Sequence, residues 1–408
     1  MKPGRTAQPV QSMTSSADWS TSPTATIRPS SKRTSPLTTR RFSSCVMTRP
    51  PRRRRDIGAV DGASRRKGFR GSPRGRRRER GGCRESPDVK GYCGPSRCAF
   101  VDLDFSKALQ RCLDQVEPGR VTTCGAVAQA LGDVRASRAV ASWIATRPDT
   151  SGGHRVVRAD GRPILASASR ELSREGTRLF RGRVSADQLT DLLEPTRFLT
   201  ALREEQQKLS ERVIEQDGGL QVERVAGVDA GYDGNTMHIV AVSIDAKDLA
   251  LTEIIAVKRQ AEFPYIPTYL AYREFPGIEA AVRRLKRRPD VLLIDGHGRL
   301  HPALFGVACY VGVRLDLPTV GVAKHPLVGR VRPRTRSPSR ASPVEFRGQV
   351  RGYAWTPPGR ERPIYVSIGH RISLERALEV VRGSTLRGYP EPLRLADRIG
   401  REMKRNKE

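Results

Sequence analysis

The sequence contains no long hydrophobic run and no closely paired cysteines. No stretch of about 18 apolar residues occurs, and the N-terminal region lacks the apolar core of a secretory signal. The seven cysteines are scattered without paired spacing, which fits reduced thiols better than a disulfide framework. These absences argue against a membrane protein and a disulfide-rich secreted domain, so we expect a soluble, cytoplasmic protein with no membrane partner.

Acidic residues are scarce relative to basic ones. The 408-residue chain has 43 Asp and Glu against 74 Lys and Arg, which gives a formal net charge of +31. A charge of this sign and size is typical of proteins that bind polyanions, with nucleic acid first and a membrane surface second. The length also exceeds what one hydrophobic core usually supports, so we expect two or three domains.

Residues 1–98 have almost no periodic apolar pattern. They hold 24 Lys and Arg against 6 Asp and Glu, and they are rich in Ser, Thr and Pro. Such a composition buries too little surface to offset the entropy of ordering, so it predicts a disordered basic tail. A salt-sensitive nucleic-acid arm and an inert or over-extended N-terminus both stay open as interpretations. Cys83, Cys93 and Cys98 have no nearby histidine and give little support for a zinc site.

The pattern of residues 99–183 predicts a pair of helices joined by a turn, after a first amphipathic helix in DFSKALQRCLDQV. GRVTTCGAVAQALGD supplies a threonine cap and a Gly-Asp break, and a second helix is predicted from about 135 to 146. Helix pairs of this kind commonly place the second helix in a DNA groove.

This domain also resembles a known family. GRVTTCGAVAQALGD, SRAVASWIATRP and GGHRVVRADG are similar to the DNA-binding domain of O6-alkylguanine-DNA alkyltransferases and of their non-catalytic alkyltransferase-like relatives. The resemblance implies a winged helix-turn-helix-like fold in which Arg138 enters the base stack to replace an extruded nucleotide.

The nucleophile of that family is missing. The family cysteine precedes the histidine of a Cys-His-Arg-Val motif, and here that position is Gly153, followed by His154. Glycine has no atom that accepts an alkyl group, so the resemblance implies a reader of damaged bases that has lost its reaction. Glu175 matches the glutamate that, with His154, would have activated the thiol. Two roles stay open for Cys124, a displaced nucleophile and a buried packing residue.

The pattern from 184 to 408 predicts a second domain, which begins with a charged helical segment at 185–217. RVAGVDAGY, MHIVAVSID and LTEIIAVKRQ predict three antiparallel strands, and VLLIDG and PTVGVAK predict two buried parallel strands. Helices are expected at about 268–286 and 301–315. This order is that of an RNase H-like mixed sheet, so the fold class is a multidomain α/β protein.

Three carboxylates occupy informative points of the predicted sheet. Asp229 interrupts the first strand, Glu274 lies on the helix after the third strand, and Asp295 ends the fourth strand. We expect them to converge, and converging carboxylates repel each other unless a divalent cation lies among them. Oxygen ligands suit Mg²⁺ or Mn²⁺. The alternative for each residue alone is a turn acceptor or a solvated side chain.

The second domain resembles endonuclease V. VAGVDAGY, FPYIPTYLAYRE, LLIDGHGRLHPALFGVACYVGV, PTVGVAKHPLVG, YVSIGHRISLERAL and YPEPLRLAD follow one another in the family's order. The resemblance implies a metal-dependent endonuclease that cuts the second phosphodiester on the 3′ side of a deaminated purine, hypoxanthine above all. The implied site residues are Asp229, Glu274 and Asp295 as catalytic metal ligands, His301 and Lys324 near the scissile phosphate, Asp397 near the metal, Pro264, Tyr265, Ile266 and Pro267 as a strand-separating wedge, and Gly296 where the backbone approaches a flipped base.

We therefore expect a DNA repair enzyme in which an alkyltransferase-like reader is fused to an endonuclease V nuclease. Its expected partners are single- or double-stranded DNA with deaminated or alkylated bases, RNA stays open, and we expect a monomer. Two alternatives remain, a non-catalytic damaged-DNA binding protein and an alkyltransferase that uses Cys124.

Overall fold

The structure, a computed structural model, describes residues 104–190, 192–332 and 341–405, which all lie within one compact unit. The tail predicted at 1–98, with its cysteines, lies outside the described residues. None of the described helices is both long and apolar enough to cross a membrane.

The first part of the described chain is a small helical module. The threonine cap predicted in GRVTTCGAVAQALGD is present, since Thr123 Oγ1 accepts a hydrogen bond from the Ala126 N–H at 3.0 Å. Gly132, at a φ of 104°, ends that helix. The elements are α1 (Phe105–Leu113), β1 (Thr122–Thr123), α2 (Cys124–Leu131), α3 (Ser137–Thr146), β2 (Val156–Val157), α4 (Ala168–Arg174), β3 (Leu179–Phe180) and β4 (Arg183–Val184), with β1 parallel to β2 and β3 antiparallel to β4.

Helix α5 (Phe198–Ser210) follows the module and shares a core with what comes next. It is shorter than the predicted 185–217 segment because Arg197 has a left-handed φ of 55°, which prevents the helix from starting earlier. Four aromatic rings join the parts of the chain, with ring centroids 5.0 to 6.3 Å apart. They are Phe105, Trp143, Phe198 and Phe263.

A nine-stranded mixed sheet forms the rest of the molecule. Its order is β10-β11-β12-β13-β9-β8-β5-β6-β7, in which only the β5–β8 and β8–β9 pairs are parallel. The predicted antiparallel meander and the two buried parallel strands are confirmed. The elements are β5 (Arg224–Asp233), β6 (Thr236–Asp245), β7 (Leu251–Gln260), α6 (Leu270–Val282), β8 (Val291–Asp295), α7 (Val307–Leu315), β9 (Thr319–Ala323), β10 (Arg330–Val331), β11 (Ala341–Phe346), β12 (Gln349–Trp355), β13 (Ile364–His370), α8 (Leu374–Gly383) and α9 (Glu391–Arg405).

Two helices begin later than their apolar patterns predict. Thr268 has a φ of 72°, so α6 starts at Leu270 instead of 268. Leu304 has a φ of 51°, and α7 starts only after it, at Val307 instead of 301. A left-handed residue cannot continue a right-handed helix, and this backbone feature leaves no mark in the apolar periodicity.

Helix α9 packs directly on the central strand β5. A Cβ atom at Gly227 would lie 2.7 Å from the backbone atoms Leu393 N and Pro392 C. Only glycine allows this approach, which brings the acidic residues of α9 and β5 to the same end of the sheet.

Gly227→Ala tests this close packing. We expect the substitution to lower the free energy of unfolding by about 1–3 kcal/mol, because the added methyl group forces α9 away from the sheet. Gly383→Ala is the matched control, since a Cβ atom at the end of α8 meets nothing within 4 Å. Urea denaturation of both variants gives the comparison, and equal stability of the two would contradict the packing argument.

Candidate active site

Asp229 and Asp295 lie on neighbouring parallel strands. Val228 on β5 pairs with Ile294 on β8, so each aspartate takes the next position along its strand. Adjacent strands are about 4.8 Å apart, which brings the two carboxyl groups close together. Burial, and then repulsion from Asp295, raises the pKa of Asp229 to about 6.

Glu274 faces the same region from α6 and has only 6% of its surface exposed. The Tyr232 hydroxyl donates a hydrogen bond to Glu274 Oε1 at 3.1 Å. Burial raises the pKa of Glu274 to about 8, and repulsion from Asp229 and Asp295 contributes, although the Tyr232 hydrogen bond acts in the opposite direction. The three carboxylates are therefore within electrostatic reach of one another.

Asp295 has two hydrogen-bonding partners. Lys324 Nζ lies 2.6 Å from Asp295 Oδ2, and the Tyr389 hydroxyl lies 3.1 Å from Asp295 Oδ1 and 3.0 Å from the Val322 carbonyl oxygen. Burial acts to lower the pKa of Lys324, but Asp295, Asp229 and a further aspartate together raise it above its usual value. Lys324 is therefore an ammonium group beside the carboxylates.

Asp397 on α9 completes this end of the sheet. Its charge is one of those that raise the pKa of Asp229 and of Lys324. Arg401 forms an ion pair with it one turn later, with Arg401 Nε 3.0 Å from Asp397 Oδ1. Four carboxyl groups and one ammonium group thus share a single, partly buried centre.

The chemistry of this centre fits a divalent cation. Asp229, Glu274 and Asp295 offer carboxylate oxygens, and the raised pKa values of the first two reflect negative charge that is buried without full compensation. A hard cation with oxygen ligands relieves such repulsion. In the conformation described for residues 104–190, 192–332 and 341–405, however, no three Asp, Glu, His or Cys side chains are placed to hold one ion together. Lys324 and Tyr232 hydrogen-bond to oxygens that an ion would need.

An apolar pocket of about 170 Å³ opens immediately after Asp295. Gly296 lies in its wall, where a Cβ atom would be 2.5 Å from Val307 Cγ1. Burial lowers the pKa of His297 to about 4 and of His301 to about 3, so both rings in the wall are neutral at pH 7. An uncharged lining of this kind suits a neutral heterocycle better than a phosphate.

The predicted wedge stands at the rim of this pocket. Tyr265 is 62% exposed, whereas its neighbours Pro264 and Ile266 are buried and anchor the segment in the protein. Pro267 lines the pocket together with Tyr265. The chain therefore presents one aromatic ring to solvent on a backbone that two prolines stiffen.

Helix α5 holds the turn that follows the wedge. Arg203 donates a hydrogen bond to Thr268 Oγ1 at 2.6 Å, and Gln206 Nε2 donates one to the Thr268 carbonyl at 3.0 Å. Gln206 is 1% exposed. These contacts maintain the left-handed backbone of Thr268, and the apolar stripe of α5 gives no sign of them.

In the helical module, Arg138 is exposed at the start of α3. His154 lies between two carboxylates, with Nε2 2.9 Å from Glu175 Oε1 and Nδ1 3.2 Å from Glu171 Oε2. Hydrogen bonding from Arg155, and then from His154, lowers the pKa of Glu175 to about 2. The residues that would activate a thiol are thus engaged in an ion-pair cluster.

Cys124 has the environment of a packing residue. It is 8% exposed, and its Sγ lies 3.4 Å from the Val157 carbonyl oxygen. Burial raises the pKa of the thiol to about 11, so the thiol is protonated at neutral pH. This environment disfavours a displaced nucleophile.

The predicted site residues therefore fall into three places. Tyr232 and Tyr389 also belong to the centre, although sequence reasoning did not select them; the available signals were that Tyr232 ends the VAGVDAGY motif and Tyr389 begins the YPEPLRLAD motif. The centre holds Asp229, Glu274, Asp295, Lys324 and Asp397; the pocket and its rim hold Pro264, Tyr265, Ile266, Pro267, Gly296 and His301; and the helical module holds Arg138 and His154.

Comparisons with known proteins match both halves of the chain. The family described as "Endonuclease V" matches residues 207–398, and the family described as "6-O-methylguanine DNA methyltransferase, DNA binding domain" matches residues 104–179. The endonuclease V of Thermofilum pendens is 43% identical over 201 residues, which are 48% of this chain and 85% of that protein. The endonuclease V of Roseiflexus sp. (strain RS-1) is 40% identical over 215 residues, 52% of this chain and 96% of that protein.

Among solved structures, the chain is similar to endonuclease V of Ciona intestinalis in complex with a 24mer DNA that contains an inosine followed by a ribo-adenosine. The identity is 26%, the match covers 52% of this chain and 99% of that chain, and the TM-score is 0.47.

The raised pKa of Glu274 predicts a pH-dependent effect of Glu274→Gln on stability. The folded protein keeps a proton on this carboxyl group that the unfolded chain releases between about pH 4.5 and 8, so this contribution to stability is lost as the pH rises. With divalent ions chelated, we expect Glu274→Gln to be more stable than the wild type at pH 8, by on the order of 2–4 kcal/mol, and to differ little near pH 4.5. Denaturant titration across this pH range measures the difference.

Glu402→Gln, an exposed position on α9, is the control and should show no such trend. Added Mg²⁺ at pH 8 should raise the Tm of the wild type more than that of Glu274→Gln, because the ion binds to the carboxylate form. A pH-independent effect of Glu274→Gln would contradict the buried, protonated state.

Proposed function

The chain belongs to the endonuclease V family, and on this premise we propose that it is a DNA repair endonuclease that cuts the second phosphodiester bond on the 3′ side of deoxyinosine. Endonucleases of this family are metal-dependent and hydrolyse phosphodiester bonds. The observation that carries the proposal is the position of Asp295 and Gly296. One residue belongs to the acidic centre, and the next belongs to a neutral pocket.

The carboxylates Asp229, Glu274 and Asp295 would hold Mg²⁺, or Mn²⁺ in its place, and the ion supplies charge stabilisation at the reacting phosphate. Tyr389 orients Asp295 through its hydroxyl, and Tyr232 orients Glu274. These hydrogen bonds fix the directions of two buried carboxyl groups that would otherwise repel each other.

Lys324 has a different part in the proposal. Its ammonium group is 40% exposed and lies against Asp295, so it can turn from that carboxylate toward a phosphate that enters the centre. There it would stabilise negative charge that develops during hydrolysis. The release of Asp295 by Lys324 would also free an oxygen for the ion.

The pocket would accept the flipped base. His297 and His301 are neutral, and Gly296 brings backbone close to the ligand, which suits hydrogen bonding to an uncharged purine. Tyr265 would fill the gap left in the base stack, and stacking of this type contributes about 1–3 kcal/mol per base.

The helical module would bind the duplex without alkyl transfer. The α2–α3 pair and the β3–β4 pair support a winged helix-turn-helix-like arrangement, in which Arg138 faces the DNA and His154 lies near the bound base. We propose that the protein acts as a monomer in the cytoplasm. Its proposed substrates are single- or double-stranded DNA with deaminated or alkylated bases, and they include RNA with inosine.

A nicking assay tests the nuclease function. We expect Mg²⁺-dependent cleavage of an inosine duplex and little or no cleavage of matched duplexes that carry uracil, O6-methylguanine or no lesion. Asp295→Ala should lower the cleavage rate by at least about 10³-fold, because the ion loses a ligand and Lys324 loses its partner, while binding to the inosine duplex is retained. Denaturing gel electrophoresis of end-labelled strands locates the cut.

Glu402→Gln serves again as the control and should cleave like the wild type. Equal cleavage of all four duplexes, or cleavage that persists in excess chelator, would contradict the proposed specificity or chemistry.

An alkyl-transfer assay tests the loss of the module's reaction. DNA with radiolabelled O6-methylguanine should leave no label on the wild-type protein, since Cys124 is buried and protonated and Gly153 carries no side chain. Label on the wild type that disappears in Cys124→Ser would establish the alkyltransferase alternative.

A further inference from the structure

The helical module is hydrogen-bonded to the sheet domain at the base of the wedge. The Tyr269 hydroxyl donates to Asp133 Oδ2 at 2.9 Å and lies 3.3 Å from the Leu199 carbonyl oxygen. The guanidinium of Arg203 lies 4.4 Å from the centre of the Tyr269 ring. Since Asp133 precedes α3 and Tyr269 precedes α6, these contacts fix α3 relative to the wedge.

A cleft of about 280 Å³ lies between α3 and the wedge, and we call it the α3–wedge cleft. Arg138, Ser142 and Arg147 line one side, and Tyr265 and Arg273 line the other. Three of its lining residues are arginines, and none of those in the described chain is acidic. The cleft is therefore a positively charged groove whose two walls come from the two halves of the molecule.

Two of these arginines face each other across the domain boundary. Arg147 stacks on Trp143, with its guanidinium carbon 3.5 Å from the ring centre, and bonds to Thr146 Oγ1 at 3.2 Å. Arg273 NH1 donates to the Phe263 carbonyl oxygen. Both guanidinium groups line the same cleft, and burial, and then the charge of Arg273, lowers the pKa of Arg147.

Within the part of the chain that the structure describes, the ion pairs include neither Arg147 nor Arg273. The guanidinium of Arg273 lies 4.5 Å from the centre of the Tyr232 ring, and its charge acts against the burial that raises the pKa of Glu274. An adjoining hollow of about 720 Å³ shares both arginines, and Asp104 and Glu262 lie in its wall. Glu262 is 3.8 Å from Arg259, so its charge has a partner elsewhere. Two guanidinium groups in one cleft, each stacked on an aromatic ring and neither in one of these ion pairs, form a natural site for an anion with several oxygens.

We propose that the α3–wedge cleft is a joint nucleic-acid site, in which Arg147 of the helical module and Arg273 of the nuclease bind a backbone phosphate of the strand beside Tyr265. The inference rests on the proposed nuclease function and deepens it. The helical module becomes one wall of the nuclease's own substrate groove, where Ser142 and Arg138 add further donors to the backbone. One segment of DNA therefore contacts both halves at once.

The experiment measures binding of the full chain to an inosine duplex by fluorescence anisotropy, with metal chelated, at a series of salt concentrations. Arg147→Gln should weaken binding about tenfold, as expected for the loss of a charged hydrogen bond, and should make the slope of log K against log salt less steep by about 0.9. Arg174→Gln removes the same charge from an exposed position on α4 outside the cleft and should change both quantities much less.

A second pair of variants tests the cleft independently, in case Arg147→Gln weakens binding only because it misfolds. Ser142→Glu places a carboxylate in the cleft at an exposed position and should also weaken binding about tenfold, whereas Ser173→Glu, exposed on α4, should not. Single-turnover nicking at saturating protein should keep the wild-type rate in the two control variants, Arg174→Gln and Ser173→Glu, whose positions lie outside the cleft.

The two proposals fail in different ways. If Arg147→Gln and Ser142→Glu bind like their controls while the wild type nicks the inosine duplex, the joint site is overturned and the nuclease function stands. If the wild type does not nick in Mg²⁺, the nuclease function fails, and the anisotropy comparison still decides whether the cleft binds a DNA backbone.

Discussion

Mutual repulsion among buried carboxylates is the constraint on which this molecule depends. Asp229 and Asp295 lie on adjacent strands, and Glu274 approaches them from a helix, so three carboxyl groups are concentrated where water is scarce and burial raises the pKa of Glu274 to about 8. Lys324 and Tyr389 compensate only part of this charge. Buried charge of this kind lowers the stability of the fold unless a cation or a proton neutralises it. The arrangement is therefore better explained as a binding site for a cation than as a device that stabilises the fold.

The acidic centre and the neutral pocket lie one residue apart, and this proximity separates recognition from chemistry. Asp295 belongs to an environment that attracts cations, whereas Gly296, His297 and His301 line a space that is uncharged at neutral pH. Because the same strand end supplies both, the proposed function would give a base in the pocket and a phosphate at the centre a fixed separation. A fixed geometry of this type would restrict hydrolysis to one bond near the bound base.

The two halves of the chain share a core, which changes the meaning of the missing nucleophile. Phe105 and Trp143 of the helical module pack with Phe263 beside the wedge, and Asp133 bonds to Tyr269. These contacts join the module to the nuclease. In the proposed joint site, its helices would extend the surface that holds the nuclease's substrate, a role for which a reactive cysteine is unnecessary.

The sequence by itself determined the strands β5 to β9, the helix pair of the module and the acidic residues of the centre, because apolar periodicity and residue type act locally. It did not indicate strands β10 to β12, whose segments mix charged residues and glycine or proline with apolar positions, and it did not indicate β13 although all seven of that strand's residues are buried. Tertiary structure alone decided that Tyr389 meets Asp295, 94 residues away, and that Asp133 meets Tyr269. Contacts between distant segments depend on how whole elements pack, and no local pattern carries that information.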